Sequence, residues 1–240
     1  MNRSALIKSL PGASHVHAVY ALAMARLRMD FGIRPLSYLW GLDRGVPIHR
    51  YYLERYLADN AADIRGHCLE FGCDLYSRKF GGAAVTKIDV LHEDGSNPAA
   101  TIVADLTKRS NIPSEHFDCI ICTHVLHIID RVPAMIQELH RLLKPNGVLL
   151  VGSPFVSMHD QTVHELWRFT PAGLRFILTQ VFPEDGVSAR GYGNSLTAAG
   201  EIRGLVSGEF SRSELDTHDP RFPVEVCARA AKRSLSDAAH

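Results

Sequence analysis

Residues Ile64 to Gly82 read IRGHCLEFGCDLYSRKFGG, and the fold turns on that stretch. A short apolar run, Cys68-Leu69, enters the acidic step Glu70-Phe71-Gly72 and then a polar turn suited to opening a helix. A strand leading at once into a glycine turn is how open parallel sheets build a small-molecule site at a strand's carboxyl end. The downstream sequence gives this signal its force. From Ile64 onward, short apolar runs alternate with helical patterns, as in a parallel sheet covered on both faces.

The runs expected as strands are Cys68–Gly72, Val85–Val90, Ala100–Ala104, Phe117–Cys122, Val148–Val151, Val187–Ala189 and Val224–Ala230. Between the fourth and fifth, Val132, Met135, Ile136, Leu139, Leu142 and Leu143 mark an amphipathic helix, stopped by Lys144-Pro-Asn-Gly147. A short helix is expected from Tyr76 to Phe80. Thr170 caps another that Pro171 begins and that reaches about Phe182, and Leu196–Val206 forms one more. Upstream, Pro47 opens a helix running to about Asn60, with Ile48, Tyr52, Tyr56, Leu53 and Leu57 on its apolar side. Residues 13–29 place Val16, Val19, Tyr20, Ala23, Met24 and Leu27 at helical spacing, a basic amphipathic segment that suits a pocket cap, a dimer contact or a transit peptide. The cap is favoured. The expected organisation is a helical cap over 1–60 on a domain over 61–233, together one compact body.

Composition narrows the function. The 240 residues carry 26 Lys and Arg against 26 Asp and Glu, so no basic field points to nucleic acid. No apolar run approaches a membrane span. Five cysteines, an odd number, suit reduced thiols and a cytoplasmic setting. Cys119 and Cys122 form a C-x-x-C inside an expected strand, whose period of two sends them to opposite faces, so buried structural thiols are expected in place of a redox or zinc pair.

Three carboxylates, Glu70, Asp89 and Asp105, fall at the ends of three successive expected strands, which right-handed crossovers bring to one edge. Asp89, roughly twenty residues beyond the first strand, suits a ribose hydroxyl pair, Asp105 an adenine amino group, and Glu70 an ammonium. Each also has an ordinary use in capping the next turn of the chain.

LEFGCD, KIDVL, ATIVADLT, FDCIICTHVLHIID and LHRLLKPNGVLLVGSP, in this order over about residues 64–155, resemble the class I S-adenosylmethionine-dependent methyltransferases. The resemblance implies an α/β, Rossmann-like fold: a seven-stranded, mostly parallel sheet with helices on both faces and the last strand antiparallel. It implies S-adenosylmethionine as cofactor. Glu70, Gly72 and Asp74 would line its methionine end, Asp89 and Val90 the ribose, Asp105 and Leu106 the adenine, and Thr123 the loop beneath the sulfonium. The turn departs from the family in keeping only Gly72, with Asp74 and Ser77 where small residues are expected. That crowding argues against a dinucleotide, whose pyrophosphate needs a glycine-lined helix N-terminus.

Methyl transfer is an in-line displacement, and a hydroxyl acceptor needs a base nearby. Candidates lie beyond strands four and five: His124, His127, His159, Asp160, His164 and Glu165. Sugar O-methyltransferases of this class resemble the chain at Leu126-His127, which makes His127 the first choice as base and His124 the second. The cluster His159, Asp160, His164 and Glu165 can position sugar hydroxyls or ligate Mg²⁺, or form a solvated lid, and Trp167-Arg168-Phe169 suits a sugar ring or, equally, a helix-entry staple. RGVPIHRYYLERYL, LWRFTP, GYGN and DPRFPV resemble bacterial methyltransferases encoded with glycan-assembly enzymes, among them the mycobacterial type that O-methylates mannosides in methylmannose polysaccharide biosynthesis. That likeness would set His49 and Tyr51 beside the donor. Two other readings stand beside a small-molecule or oligosaccharide hydroxyl acceptor: an amine, carbon or phenol acceptor, and a degenerate binding or scaffold subunit.

Overall fold

A computed structural model describes residues 33–234, together with Tyr20, Ala23, Met24 and Leu27. Those four are helical; the rest of the amphipathic segment expected over 13–29 lies outside the described residues. The chain forms two compact units. Of the described residues, the smaller comprises those up to Tyr51, Val156–Met158 and Gly193–Val224, and the larger Tyr52–Phe155, His159–Tyr192 and those from Glu225 on.

The larger unit holds a seven-stranded sheet in the order β3-β2-β1-β4-β5-β7-β6. Its strands are β1 (Gly66–Phe71), β2 (Val85–His92), β3 (Ile102–Val103), β4 (Phe117–Thr123), β5 (Leu143–Pro154), β6 (Val187–Tyr192) and β7 (Glu225–Ala231). All pairings from β3 to β5 are parallel, and β7 runs antiparallel to both its neighbours. The order reverses between β1 and β4, and such a switch point opens a crevice beyond the carboxyl ends of the strands.

Sequence pattern explains the packing. Helix α2 (Val132–Leu142) turns Val132, Met135, Ile136, Leu139 and Leu142 into the core, where they meet Leu69, Ile120, Leu149, Val151 and Ala228 of the sheet. Helix α3 (Pro171–Thr179), capped by Thr170 Oγ1 accepting from the Gly173 N–H, adds Leu174 and Leu178 to the same cluster. Each such side chain stabilises the fold by about 1.5–3 kcal/mol through burial. Cys122 joins this cluster, whereas Cys119 lies beside Cys68 and Tyr56. The C-x-x-C is therefore split across the sheet, with both thiols free and buried, as strand periodicity requires. Tyr56 donates its hydroxyl to the Ala228 carbonyl at 2.6 Å, which satisfies the one polar atom of a buried ring.

Several boundaries differ from the sequence reading, among them those of β2 and β5. β2 runs three residues past Asp89, to His92, because Val90 and Leu91 still pair with Glu70 and Phe71. The helix before Lys144–Gly147 ends at Leu142, and β5 starts at once at Leu143, ahead of the tetrapeptide expected to stop that helix. That tetrapeptide lies within the strand, where the register with β4 shifts and Asn146 takes φ 64°.

In the smaller unit, helix α1 (Ile48–Asp59) begins and then continues into the larger one. Helix α4 (Ser195–Arg203) is capped by Asn194 and ends at Gly204, whose φ of 73° suits the left-handed cap, two residues short of Val206. Helix α5 (Arg212–Asp216) comes next. Arg44 ties these pieces together by pairing with Glu209 and donating to the Gly204 carbonyl. Among the described residues, no helix is long and apolar enough to cross a membrane.

Candidate active site

The carboxyl ends of β1, β2, β3 and β4 border one hollow of about 410 Å³. Phe71 and Gly72 come from β1 and its turn, Leu91, His92 and Glu93 from the end of β2, Asp105 to Thr107 from beyond β3, and Thr123 to Val125 from β4. Its size falls within the range of small-ligand sites. Gly72 has φ 77°, and a Cβ there would meet no atom within 4 Å, so its backbone lies open to the hollow.

The crowded turn after β1 is held by Glu70. This carboxylate is buried; Oε1 accepts from the Tyr76 N–H at 2.9 Å and Oε2 from the Ser77 N–H at 2.7 Å. Burial raises its pKa, and those two backbone bonds work against the rise. A buried acid thus fixes the turn where the sequence lacks further glycines. Asp74, expected with it at the methionine end, is half-exposed and accepts from Arg78 Nε at 2.5 Å.

The expected single rim of Glu70, Asp89 and Asp105 does not form. Asp89 lies inside β2, not at its end, and lines a different hollow. Its Oδ2 is 2.6 Å from His67 Nε2 and 2.9 Å from Lys87 Nζ, while Oδ1 accepts from Thr101 Oγ1 at 2.8 Å. Burial pushes its carboxyl up, but the bonds to Lys87, Thr101 and His67 outweigh that and leave it below its ordinary value. Val90 beside it is buried, its N–H given to Thr101 Oγ1. The acid at the true end of β2 is Glu93, which lines the β1–β4 hollow. Sequence reading misses it by ending the strand at Val90, although the apolar Leu91 beyond is the signal that the strand continues. Asp105 does border the hollow, with Leu106 buried beside it. Lys108 and Thr107 hold the Asp105 carboxyl at about 2, so it stays charged at neutral pH.

β4 ends in Thr123, and His124 comes next with φ 53°, a left-handed conformation costly for a residue with a side chain. The twist leaves His124 on the wall of the hollow, with Nε2 3.0 Å from Glu225 Oε1. Glu225, from β7, is fully buried, and among the described residues its Oε2 has no hydrogen-bond partner. His127 is buried behind this wall and does not line it. Burial, helped by His124, lowers its pKa to about 4, and its carbonyl accepts from the Leu166 and Trp167 N–H groups. Of the two histidines in this motif, His124 lines the hollow and His127 does not.

The 159–168 cluster is gathered by Glu165. Its oxygens pair with His159 Nδ1 at 2.7 Å and Arg168 Nη2 at 2.8 Å, accept the Asp160 N–H at 3.1 Å, and lie 3.6 Å from His127 Nε2. Burial opposes its charge, but Arg168 and His159 hold the carboxyl at about 2. Asp160 Oδ1 is used by the Thr162 N–H and hydroxyl, and His164 is exposed. Trp167 donates Nε1–H to the Ile129 carbonyl at 2.7 Å and lies nearly parallel to Phe169. Arg168 and His159 thus already occupy the Glu165 carboxylate, and Asp160 turns Oδ1 to Thr162. In the smaller unit, Tyr51 donates to Asp216 at 3.1 Å and His49 Nδ1 is 2.6 Å from Glu201.

Residues 69–151 match the family described as a methyltransferase domain. A SAM-dependent methyltransferase from Archaeoglobus fulgidus superposes with a TM-score of 0.53 at 14% identity, over 76% of this chain and 94% of that one. The N-methyltransferase NodS from Bradyrhizobium japonicum, in complex with S-adenosyl-L-homocysteine, superposes with a TM-score of 0.52 at 15% identity, over 89% and 99%. Probable polyketide synthase 10 of Dictyostelium discoideum is 29% identical over 72 residues, 28% of this chain; the chain spans 3% of that protein's length. Residues 69–151 thus resemble a methyltransferase domain, on a sheet with the fold of the S-adenosylmethionine-dependent methyltransferases.

Proposed function

We propose that the chain transfers a methyl group from S-adenosylmethionine to a hydroxyl, of the sugar class, with His124 as general base. The observation that carries this reading is the His124–Glu225 pair on the wall of the hollow, 3.0 Å apart, with the histidine in a strained backbone conformation. Strain of this kind persists where the surroundings over-determine it, and it gathers at functional sites. A carboxylate at Nε2 fixes the proton there and makes Nδ1 the basic nitrogen. The donor lies with its methionine end at the open backbone of Gly72, its ribose at Glu93 and its adenine by Asp105 and Leu106.

The acceptor oxygen attacks the methyl carbon in line with the departing sulfur. The C–O bond forms as the S–CH₃ bond breaks, and the pair of electrons released neutralises the sulfonium. The acceptor's proton passes to His124, and the adjacent carboxylate of Glu225 stabilises the imidazolium that results. Trp167 and Arg168 supply an aromatic face and a charged fork of the kind that sugar rings meet. The mannoside acceptor rests on sequence resemblance, chiefly the 44–57 and 166–171 segments.

An amine acceptor is the second reading, favoured by the likeness in fold to an N-methyltransferase over most of the chain. Amines that are neutral at the working pH need no base. Radiolabelled donor with a panel of sugars and amines separates the two. Methylation of sugars that falls sharply in His124→Asn supports the first reading, and transfer to amines unaffected by that change supports the second. Failure to bind S-adenosylhomocysteine at high micromolar concentration would leave the scaffold reading in their place.

A further inference from the structure

A second group of chemistry-bearing side chains lies on the sheet away from the β1–β4 hollow. His67 of β1, Asp89 of β2 and His116, just ahead of β4, bring one ligand-type atom each to within 4.8 Å of one another. We propose that these three residues bind a divalent transition-metal ion of the zinc, cobalt and nickel type. Two imidazoles with one carboxylate suit such ions, whereas Mg²⁺ and Ca²⁺ prefer oxygen throughout.

Several features make this a built site. His67 Nε2 already points at Asp89 Oδ2 from 2.6 Å, and the His67 and His116 rings lie 4.7 Å apart, both edge-to-face with Phe117. Backbones are pinned: the His67 N–H donates to Asp118 Oδ2 at 2.8 Å and the His116 N–H to the Leu142 carbonyl at 2.8 Å. Thr101 Oγ1 donates to Asp89 Oδ1, which orients the carboxylate so that Oδ2 faces the histidines, as hydrogen-bonded partners orient ligating carboxylates in metal sites. Zinc–nitrogen bonds are about 2.1 Å, so ligand atoms around one tetrahedral ion stand about 3.4 Å apart, a closure that side-chain rotation supplies. Asp89 and His116 also line a hollow of about 680 Å³, which gives the ion an entry path and water for its remaining positions.

One group competes with the ion. Lys87 Nζ lies 2.9 Å from the same Asp89 Oδ2, on a side chain 59% exposed. An incoming ion takes that oxygen, and the ammonium swings out to solvent. Removing the lysine therefore strengthens metal binding, which no purely structural His–Asp–Lys network would require.

The test is a Co²⁺ titration of the untagged, chelator-stripped full chain, read by visible absorption, with Zn²⁺ competition to set the affinity. Circular dichroism and melting in metal-free buffer confirm that each variant folds. The expected result is one equivalent bound, a loss in affinity for His116→Ala and His67→Gln greater than the about tenfold to hundredfold that an outer partner of a ligand is worth, and tighter binding for Lys87→Met. No saturable Co²⁺ signal from the wild-type chain overturns the proposal. So does a signal that survives His116→Ala unchanged, because other histidines would then be the ligands. Should His67→Gln fail to fold, His116→Ala decides alone.

Discussion

Replacing Glu225 by Gln probes the proposed base without touching the acceptor or the donor. The carboxylate is fully buried and sits 3.0 Å from His124 Nε2, so the amide fits the same space but carries no charge. An amide offers either a neutral acceptor or an N–H to that nitrogen, and the second choice favours the wrong tautomer. A general base contributes about 10²–10⁴ in rate. A residue that only orients and charges that base cannot exceed this, and about 10- to 10³-fold is expected in kcat, or about 1.4–4 kcal/mol. His124→Asn marks the floor, and the double variant should fall no further than His124→Asn alone, because the two act as one unit. Initial rates with radiolabelled donor give kcat, and calorimetry with S-adenosylhomocysteine gives donor affinity, which should stay unchanged. Full activity in Glu225→Gln, or an equal loss of rate and donor affinity, would refute the reasoning.

The same geometry fixes other outcomes. Glu93→Ala should weaken S-adenosylhomocysteine binding by about 10- to 100-fold, the worth of a charged hydrogen bond, while Asp89→Asn leaves it nearly unchanged; calorimetry on both variants checks this. His127→Gln should keep kcat. In the wild type, the folded pKa of His127 is about 4 against an ordinary 6.5, so the unfolded chain binds the extra proton and stability falls as pH drops from about 6.5 to 4. That part of the slope should vanish in His127→Gln, as denaturant melts at several pH values would report. Glu165, at about 2 when folded against an ordinary 4.5, gives stability that is fully present above about 4.5 and lost as pH falls toward 2. The stability gap between wild type and Glu165→Gln should close over that window. Gly72→Ala should cost about 1–2 kcal/mol in stability, because φ 77° disfavours any side chain although space is open; urea melts measure it.

The alternation of apolar strands with helical patterns is enough to read the architecture, because parallel strands buried on both faces leave continuous apolar runs. The antiparallel β7 comes only from the family resemblance. Residue-level placement is less legible. Asp89 looks terminal because its charge interrupts the apolar run, yet Val90-Leu91-His92 give no breaker until Asp94-Gly95, and the strand's true end is set by pairing with β1. His124 and His127 are three residues apart in one motif. The choice between them depends on the left-handed twist at His124, which local sequence does not announce. Glu225 lies 101 residues further along and reaches His124 only through the β5–β7 pairing, so no spacing argument could find it. Glu70 is legible as an acid at the first turn, but its job of binding backbone N–H groups emerges only once Tyr76 and Ser77 are folded over it.

The most direct measurement is a crystal structure of the chain with S-adenosylhomocysteine bound. The expected result is the nucleoside across the β1–β4 hollow, with the Glu93 carboxylate on the ribose hydroxyls, the adenine beside Leu106, and His124 facing the sulfur. A ribose seated on Asp89, or a hollow that stays closed to the ligand at saturating concentration, would contradict it.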